Sequence, residues 1–174
     1  MGWWVTMPCK HSAARCLASI KCKNAHFQPT LGFLMTRLNI VAFDDAIHRS
    51  QVMDVWRTSF GYETAHNEPG LVIDQKLAMH DGLFFVAELA GEVVGTVMAG
   101  YDGHRGWLYS VAVSPAHRRL GAGRQLVRHA EQALFSRGCL KINLQLLQSN
   151  AAVAAFYTSM GYAVEPRISM GKLM

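Results

Sequence analysis

No run of about eighteen uninterrupted apolar residues occurs in the chain, so no membrane-spanning helix is expected. Acid is missing from the first 36 residues, where Lys10, Arg15, Lys21 and Lys23 stand without an Asp or Glu. Most of the formal net charge of +5 therefore belongs to that leader, and the remainder carries 13 basic against 12 acidic residues. A near-neutral body lacks the basic footprint that a nucleic-acid backbone demands, and neither nucleic acid nor membrane is an expected partner. Eight histidines are scattered without HExxH or another compact ligand spacing, so no metal is expected. Cys9, Cys16 and Cys22 form no CxxC pair and Cys139 stands alone, which reads as reduced thiols in a cytoplasmic protein.

What the sequence does hold is enough apolar residue, 51% of 174, for one domain with a sizeable core and too little length for two ordinary ones. Composition breaks near residue 36. Residues 1–36 carry no sustained period of two or 3.6 and are expected to lie outside the core. A dispensable tail or a start misassigned upstream of Met35 accounts for them, while a transit peptide and a myristoylation pattern in "MGWWVT" remain formal alternatives. Residues 37–174 are the expected domain.

From residue 38 the punctuation becomes regular. "LNIVAF" alternates as a first strand, and Asp44 can cap a helix whose Val52, Val55 and Trp56 share a face. After the polar "GYETAHNEPG" comes a shorter helix at about 71–80. "LFFVAEL" and "VVGTVMAGYD" flank a turn at Ala90 and Gly91 and predict a hairpin, with "WLYSVAV" as the next strand. A long helix follows, then a strand at "KINLQLL", a helix at about 150–160 and one or two final strands. This order predicts an α/β (α+β mixed) fold with a mixed sheet covered by helices.

The junction "SPAHRRLGAGRQL" carries the chemistry. Leu126, Val127, Ala130, Ala133 and Leu134 share one face of the long helix, which places Gly121 and Gly123 at or before its first turn. Backbone N–H groups there have no intrahelical partner and the helix dipole is positive. Glycine lets an anion reach those donors, and Arg118, Arg119 and Arg124 add full charges, which suits phosphate. A solvated, glycine-rich helix start explains the same residues without a ligand. Leu126 stands where a dinucleotide fingerprint needs its third glycine, and no Gly-Lys-Ser/Thr follows, so neither a dinucleotide nor a nucleoside triphosphate fits.

"VAVSPAHRRLGAGRQL" resembles the acetyl-CoA signature of the GNAT superfamily of N-acetyltransferases, Arg/Gln-x-x-Gly-x-Gly/Ala after a strand, here Arg118-Arg119-Leu120-Gly121-Ala122-Gly123. "NAAVAAFYTSMGY", from Asn150 to Tyr162, resembles a second segment of that family. The resemblance covers about residues 37–174. It implies a GNAT-like splayed sheet, mostly antiparallel with a central parallel pair, open between the strands at 107–113 and 140–146. Acetyl-CoA would lie in the opening as cosubstrate, with backbone groups at Val111, Ala112 and Val113 on its arm, amides of Leu120 to Arg124 on its pyrophosphate, and Asn150 beside the arm. Tyr157 would assist the departing thiolate. A phenol near pKa 10 stays protonated at neutral pH and can donate to sulfur, although Tyr157 also fits a buried stripe with Val153, Phe156 and Met160.

The resemblance also implies a primary amine of a small molecule or protein as acceptor, and a homodimer, since the family is often dimeric. Some relatives place a glutamate base where this chain has Gln145, so the general base is open. Asp102 and His104 could shape the acceptor site or form a polar turn, and Tyr62 and Glu63 lie in a loop that overhangs the acceptor in many relatives. A noncatalytic acyl-CoA sensor of the same fold is the rival expectation.

Overall fold

The computed structural model of the chain describes residues 37–60 and 65–173. The leader at 1–36, Tyr62 and Glu63 lie outside the described residues.

Side chains start most of the helices. Asp44 accepts the Ala46 N–H at 2.9 Å and opens α1, Asp45–Phe60. Glu68 caps α2, Pro69–Ala78, by accepting the N–H groups of Gly70 (3.0 Å) and Leu71 (2.6 Å), with Pro69 in the first turn where its missing N–H costs nothing. β1 is Asn39–Ala42, β2 Phe84–Leu89, β3 Glu92–Tyr101, β4 Gly106–Val113 and β5 Ile142–Leu144, with α3 at Ala122–Phe135 and α4 at Ala151–Thr158. The β2–β3 turn falls at Ala90 (φ +55) and Gly91 (φ +82) as the hairpin pattern predicts, since two positive φ values match the twist of a two-residue turn.

The five strands lie in chain order, the first three pairings antiparallel and β4–β5 parallel. One core joins the sheet to α3 through Leu126, Val127, Ala130 and Leu134, together with Tyr157 of α4. A second joins the opposite face to α1 and α2 through Val52, Val55, Trp56 and Ile73. The apolar period of each helix thus sets which face it covers.

Two expectations need correction at the C-terminal end. The strand predicted over 141–147 is only Ile142–Leu144, and no strand forms over the described residues after α4. Pro166 lacks the N–H a ladder requires, and the segment is tied to β5 by side chains instead. Glu165 pairs with Lys141 and Gln145 donates to Ser169 at 2.6 Å. Among the described residues the parallel pair therefore stands at the end of the sheet.

Gly95 of β3 lies where any side chain would collide with the backbone: a Cβ there would sit 2.8 Å from the Ala112 carbonyl oxygen and 3.0 Å from Leu126 Cδ1. Gly95→Ala should therefore destabilise the domain by about 1–3 kcal/mol, seen as a lower urea midpoint with an unchanged slope.

Candidate functional site

Alternation along β4 fails at one residue, and the failure builds the site. Gly106 and Leu108 are buried toward α3, while Trp107 and Tyr109 point to the other face, 37% and 40% exposed. At Ser110 the strand bulges: Met98 pairs with Tyr109 but Thr96 with Ala112, so Ser110 and Val111 together oppose Val97. Ser110 takes φ +49, a conformation that costs a non-glycine residue about 1–3 kcal/mol. Beyond the bulge the parity is reversed, with Val111 and Val113 on the α3 side and Ala112 in the core under α1.

A two-bond relay steadies that strained residue. The Trp56 indole N–H donates to Thr96 Oγ1 at 2.8 Å, and the Thr96 hydroxyl donates to the Ser110 carbonyl at 2.8 Å. Trp56 and Thr96 are buried, so each polar atom has its partner inside the core.

β5 leaves β4 just before the bulge. Their ladder comprises Gly106–Ile142, Trp107–Asn143 and Leu108–Leu144 and then stops, which leaves the β5-facing edge of β4 from Tyr109 onward without a strand partner among the described residues. The expected splay is therefore present, beginning at Leu108.

The chain then turns through Arg119 (φ +68) and Gly121 (φ +85) into α3. Gly121 is the N-cap and offers no side-chain bond, whereas Asp44, Glu68 and Asn150 cap the other helices. The first helical bond of α3 runs from Gln125 N–H to the Gly121 carbonyl, so the N–H groups of Ala122, Gly123 and Arg124 have no intrahelical acceptor. Gly123 keeps this end close to its neighbours, since a Cβ there would lie 3.5 Å from Val113 and 3.6 Å from Phe156. Arg118 Nε donates to the Val113 carbonyl at 3.3 Å, and Arg124 donates to Oγ of Ser159, the residue that ends α4, at 2.8 Å. Arg119 and Leu120 are exposed.

α4 supplies the last pieces. Asn150 Oδ1 accepts the Val153 N–H at 3.2 Å, so this side chain is first of all a helix cap. Tyr157 is 6% exposed, packed edge-on against Phe156 and Tyr162, and burial pushes its phenol up to about 12. Packing and a protonated hydroxyl are thus compatible at this residue.

The fold gathers Val111, Ala112, Val113 and Arg118 to Arg124 around one end of β4, with Tyr157 in the same core cluster as Val111, Val113 and Ala122, while Asn150 stands at the start of α4. It does not bring Asp102 and His104 to that end. They form the β3–β4 turn at the opposite end, where the Asp102 carboxylate accepts the N–H groups of His104 (2.8 Å) and Arg105 (2.6 Å). Gln145 is engaged with Ser169, and Glu165 is held near pKa 2 by its bonds to Lys141 and Arg167, which makes it a weak base. Cys139 is buried beyond α3 against Lys141, with its Sγ 3.2 Å from the Lys141 carbonyl. Sequence reasoning missed Ser110, Thr96 and the second role of Trp56. It also missed Lys76, buried between Asp81 and the Ala99 carbonyl and 5.5 Å from the centre of the Tyr109 ring. Among the described residues no cluster of His, Cys, Asp and Glu could hold a metal, and no helix is long and apolar enough to cross a membrane.

Comparison with known proteins adds to this geometry. A model of the acetyltransferase (GNAT) family matches residues 49–162. An acetyltransferase of Sodalis glossinidius is 43% identical over 102 residues, 59% of this chain and 72% of its own length. One from Yersinia enterocolitica is 41% identical over 106 residues, 61% of this chain and 75% of its own. In fold, the chain is similar to an N-acetyltransferase of Thermoplasma acidophilum solved in complex with coenzyme A, with a TM-score of 0.67 at 16% identity over 76% of this chain and 93% of that one.

The buried phenol has a measurable signature. Tyr157 should ionise near pH 12 against 10 for a free phenol, visible as an alkaline absorbance step that Tyr157→Phe removes. Because the folded value is the higher, its contribution to stability is complete below pH 10 and declines as pH rises through about 12.

Proposed function

Because this chain belongs to the GNAT family and is an N-acetyltransferase, we propose that it transfers acetyl directly from acetyl-CoA to a primary amine through the open edge of β4. The observation that carries this reading is the continuity of that edge, unpaired beyond Leu108, with the uncapped start of α3. An extended amide-bearing arm would pair with the strand edge, and its pyrophosphate would meet the free N–H groups and positive dipole of α3. Asn150 uses its oxygen on the helix, which leaves its Nδ2 to donate to the arm.

The Ser110 carbonyl is turned toward Thr96 on β3, and a trans peptide points its N–H the opposite way. The Val111 N–H therefore points away from Thr96, and on this proposal it would meet the opening, polarise the thioester carbonyl and stabilise charge as the amine attacks. The C–N bond forms, the C–S bond breaks, and the departing sulfur takes a hydrogen bond from the protonated Tyr157. A phenol near pKa 12 remains a donor throughout the neutral range.

Amine deprotonation decides the acceptor class. An alkyl amine of pKa about 10.4 is only about 0.04% neutral at pH 7, whereas an α-amine near 7.7–8.0 is roughly a tenth neutral. With Gln145 in place of a carboxylate and Glu165 neutralised by two cations, water is the proton acceptor that this site supports. An α-amino group, of a small molecule or a polypeptide N-terminus, is accordingly the favoured acceptor.

Ligand-dependent melting tests the first half of the proposal. Acetyl-CoA or coenzyme A at a hundred times its dissociation constant adds about 2.7 kcal/mol and should raise the midpoint by roughly 5–11 °C, while ATP and NAD leave it unchanged. A larger shift with ATP or NAD would refute the coenzyme A site. Turnover tests the second half: Tyr157→Phe should retain coenzyme A binding and lose about 100-fold in kcat, and an unchanged kcat would remove Tyr157 from the mechanism.

A further inference from the structure

The core beneath α1 contains two hydrogen-bonding side chains in series where an apolar contact would have filled the space. Trp56 leaves α1, crosses to Thr96 on β3, and Thr96 crosses to the Ser110 carbonyl on β4, at 2.8 Å in each step. An indole can only donate, so the threonine oxygen accepts from Trp56 and its single hydroxyl proton is committed to Ser110. The direction of the relay is thereby determined. Its end point is the one positive-φ residue of β4 and the first peptide before the Val111 N–H.

We propose that Thr96, supported by Trp56, is a positioning residue for acetyl transfer: by holding the Ser110 carbonyl toward β3 it aims the Val111 N–H at the thioester carbonyl. The inference rests on the role given to Val111 above. The ladder leaves this peptide under-determined, since β5 has already left at Leu108 and the β3–β4 register slips here. A bulge with a strand on only one side needs another restraint, and Thr96 is the side chain that reaches it. Neither Thr96 nor Trp56 touches the reacting atoms on this reading. Their effect is confined to the orientation of one donor.

Binding and chemistry should therefore separate. Coenzyme A lacks the thioester carbonyl, so its affinity should not depend on where the Val111 N–H points, whereas kcat should. The full-length chain is compared with Thr96→Val, Thr96→Ser and Ile73→Val for coenzyme A affinity and for kcat with acetyl-CoA and an α-amine. Valine keeps the branched shape and removes the hydroxyl; serine keeps the hydroxyl; Ile73 is a buried α2 residue of the same core and no member of the relay.

The expected result is a fall of about 10- to 100-fold in kcat for Thr96→Val, short of or equal to the loss of a whole oxyanion donor, with coenzyme A affinity unchanged. Thr96→Ser should recover most of the rate, and Ile73→Val should keep the parental kcat. A parental kcat in Thr96→Val, an affinity that falls with the rate, or a serine variant as slow as the valine one would overturn the positioning role and leave the acetyltransferase reading standing. A parent chain that does not bind coenzyme A would overturn that reading, and the positioning role with it. Should Thr96→Val not fold, Trp56→Phe carries the test: a smaller fall in kcat at constant coenzyme A affinity supports the relay, and a parental kcat sinks it.

Discussion

Backbone donors and acceptors buried in a sheet must find partners, and a neighbouring strand is the usual way to supply them. In this chain the parallel ladder between β4 and β5 ends after three residue pairs. α4 presses Phe156 toward Gly123 and Val113, so the far end of the opening is walled by a helix rather than by a strand. The start of α3 then stands at the end of the strand edge because β4 leads into it through only a short turn. Without that early separation, the exposed edge, the uncapped helix start and the buried Tyr157 would be unrelated features.

The two faces of the sheet are mechanically connected through the bulge. α1 and α2 cover one face and α3 the other, and an ordinary strand would present alternate residues to each without linking them. Ser110 breaks that independence, because the carbonyl fixed from the α1 side belongs to the same peptide as the N–H of Val111, whose side chain packs on the α3 side. A buried polar pair is costly unless both members are satisfied, as Trp56 and Thr96 are here.

Much of the fold was legible in the sequence because its elements announce their ends. Asp44 and Asn150 sit where helix caps belong, Ala90 and Gly91 mark the hairpin, and the apolar stripe of α3 locates Gly121 at its start. The grouping of Val113, Gly123 and Tyr157 was implied by the family resemblance, not by periodicity. The end of β5 was not legible, since Leu146 and Leu147 continue an apolar run but lie exposed once the strand has parted from β4. The bulge was hidden in "WLYSVAV", which reads as one uniform strand. Its only local mark is that Leu108 and Val111, three apart instead of two, face the same core. Asp102 left two readings open in the sequence, an acceptor-site residue or a polar turn, and its carboxylate bonds the turn.

The brevity of β5 has a second consequence, on the outside of the molecule. A terminal strand offers its free edge as a template on which another extended chain can add, and long flat edges invite aggregation. Here the template is three residues long, Lys141 stands at its entrance with its charge matched by Glu165, and Pro166 interrupts the segment laid beside it. Shortness, charge and proline are common means by which sheets discourage edge-to-edge growth. The separation that opens the inner side of the sheet thus also leaves its outer edge only three residues long, a poor template for a neighbouring chain.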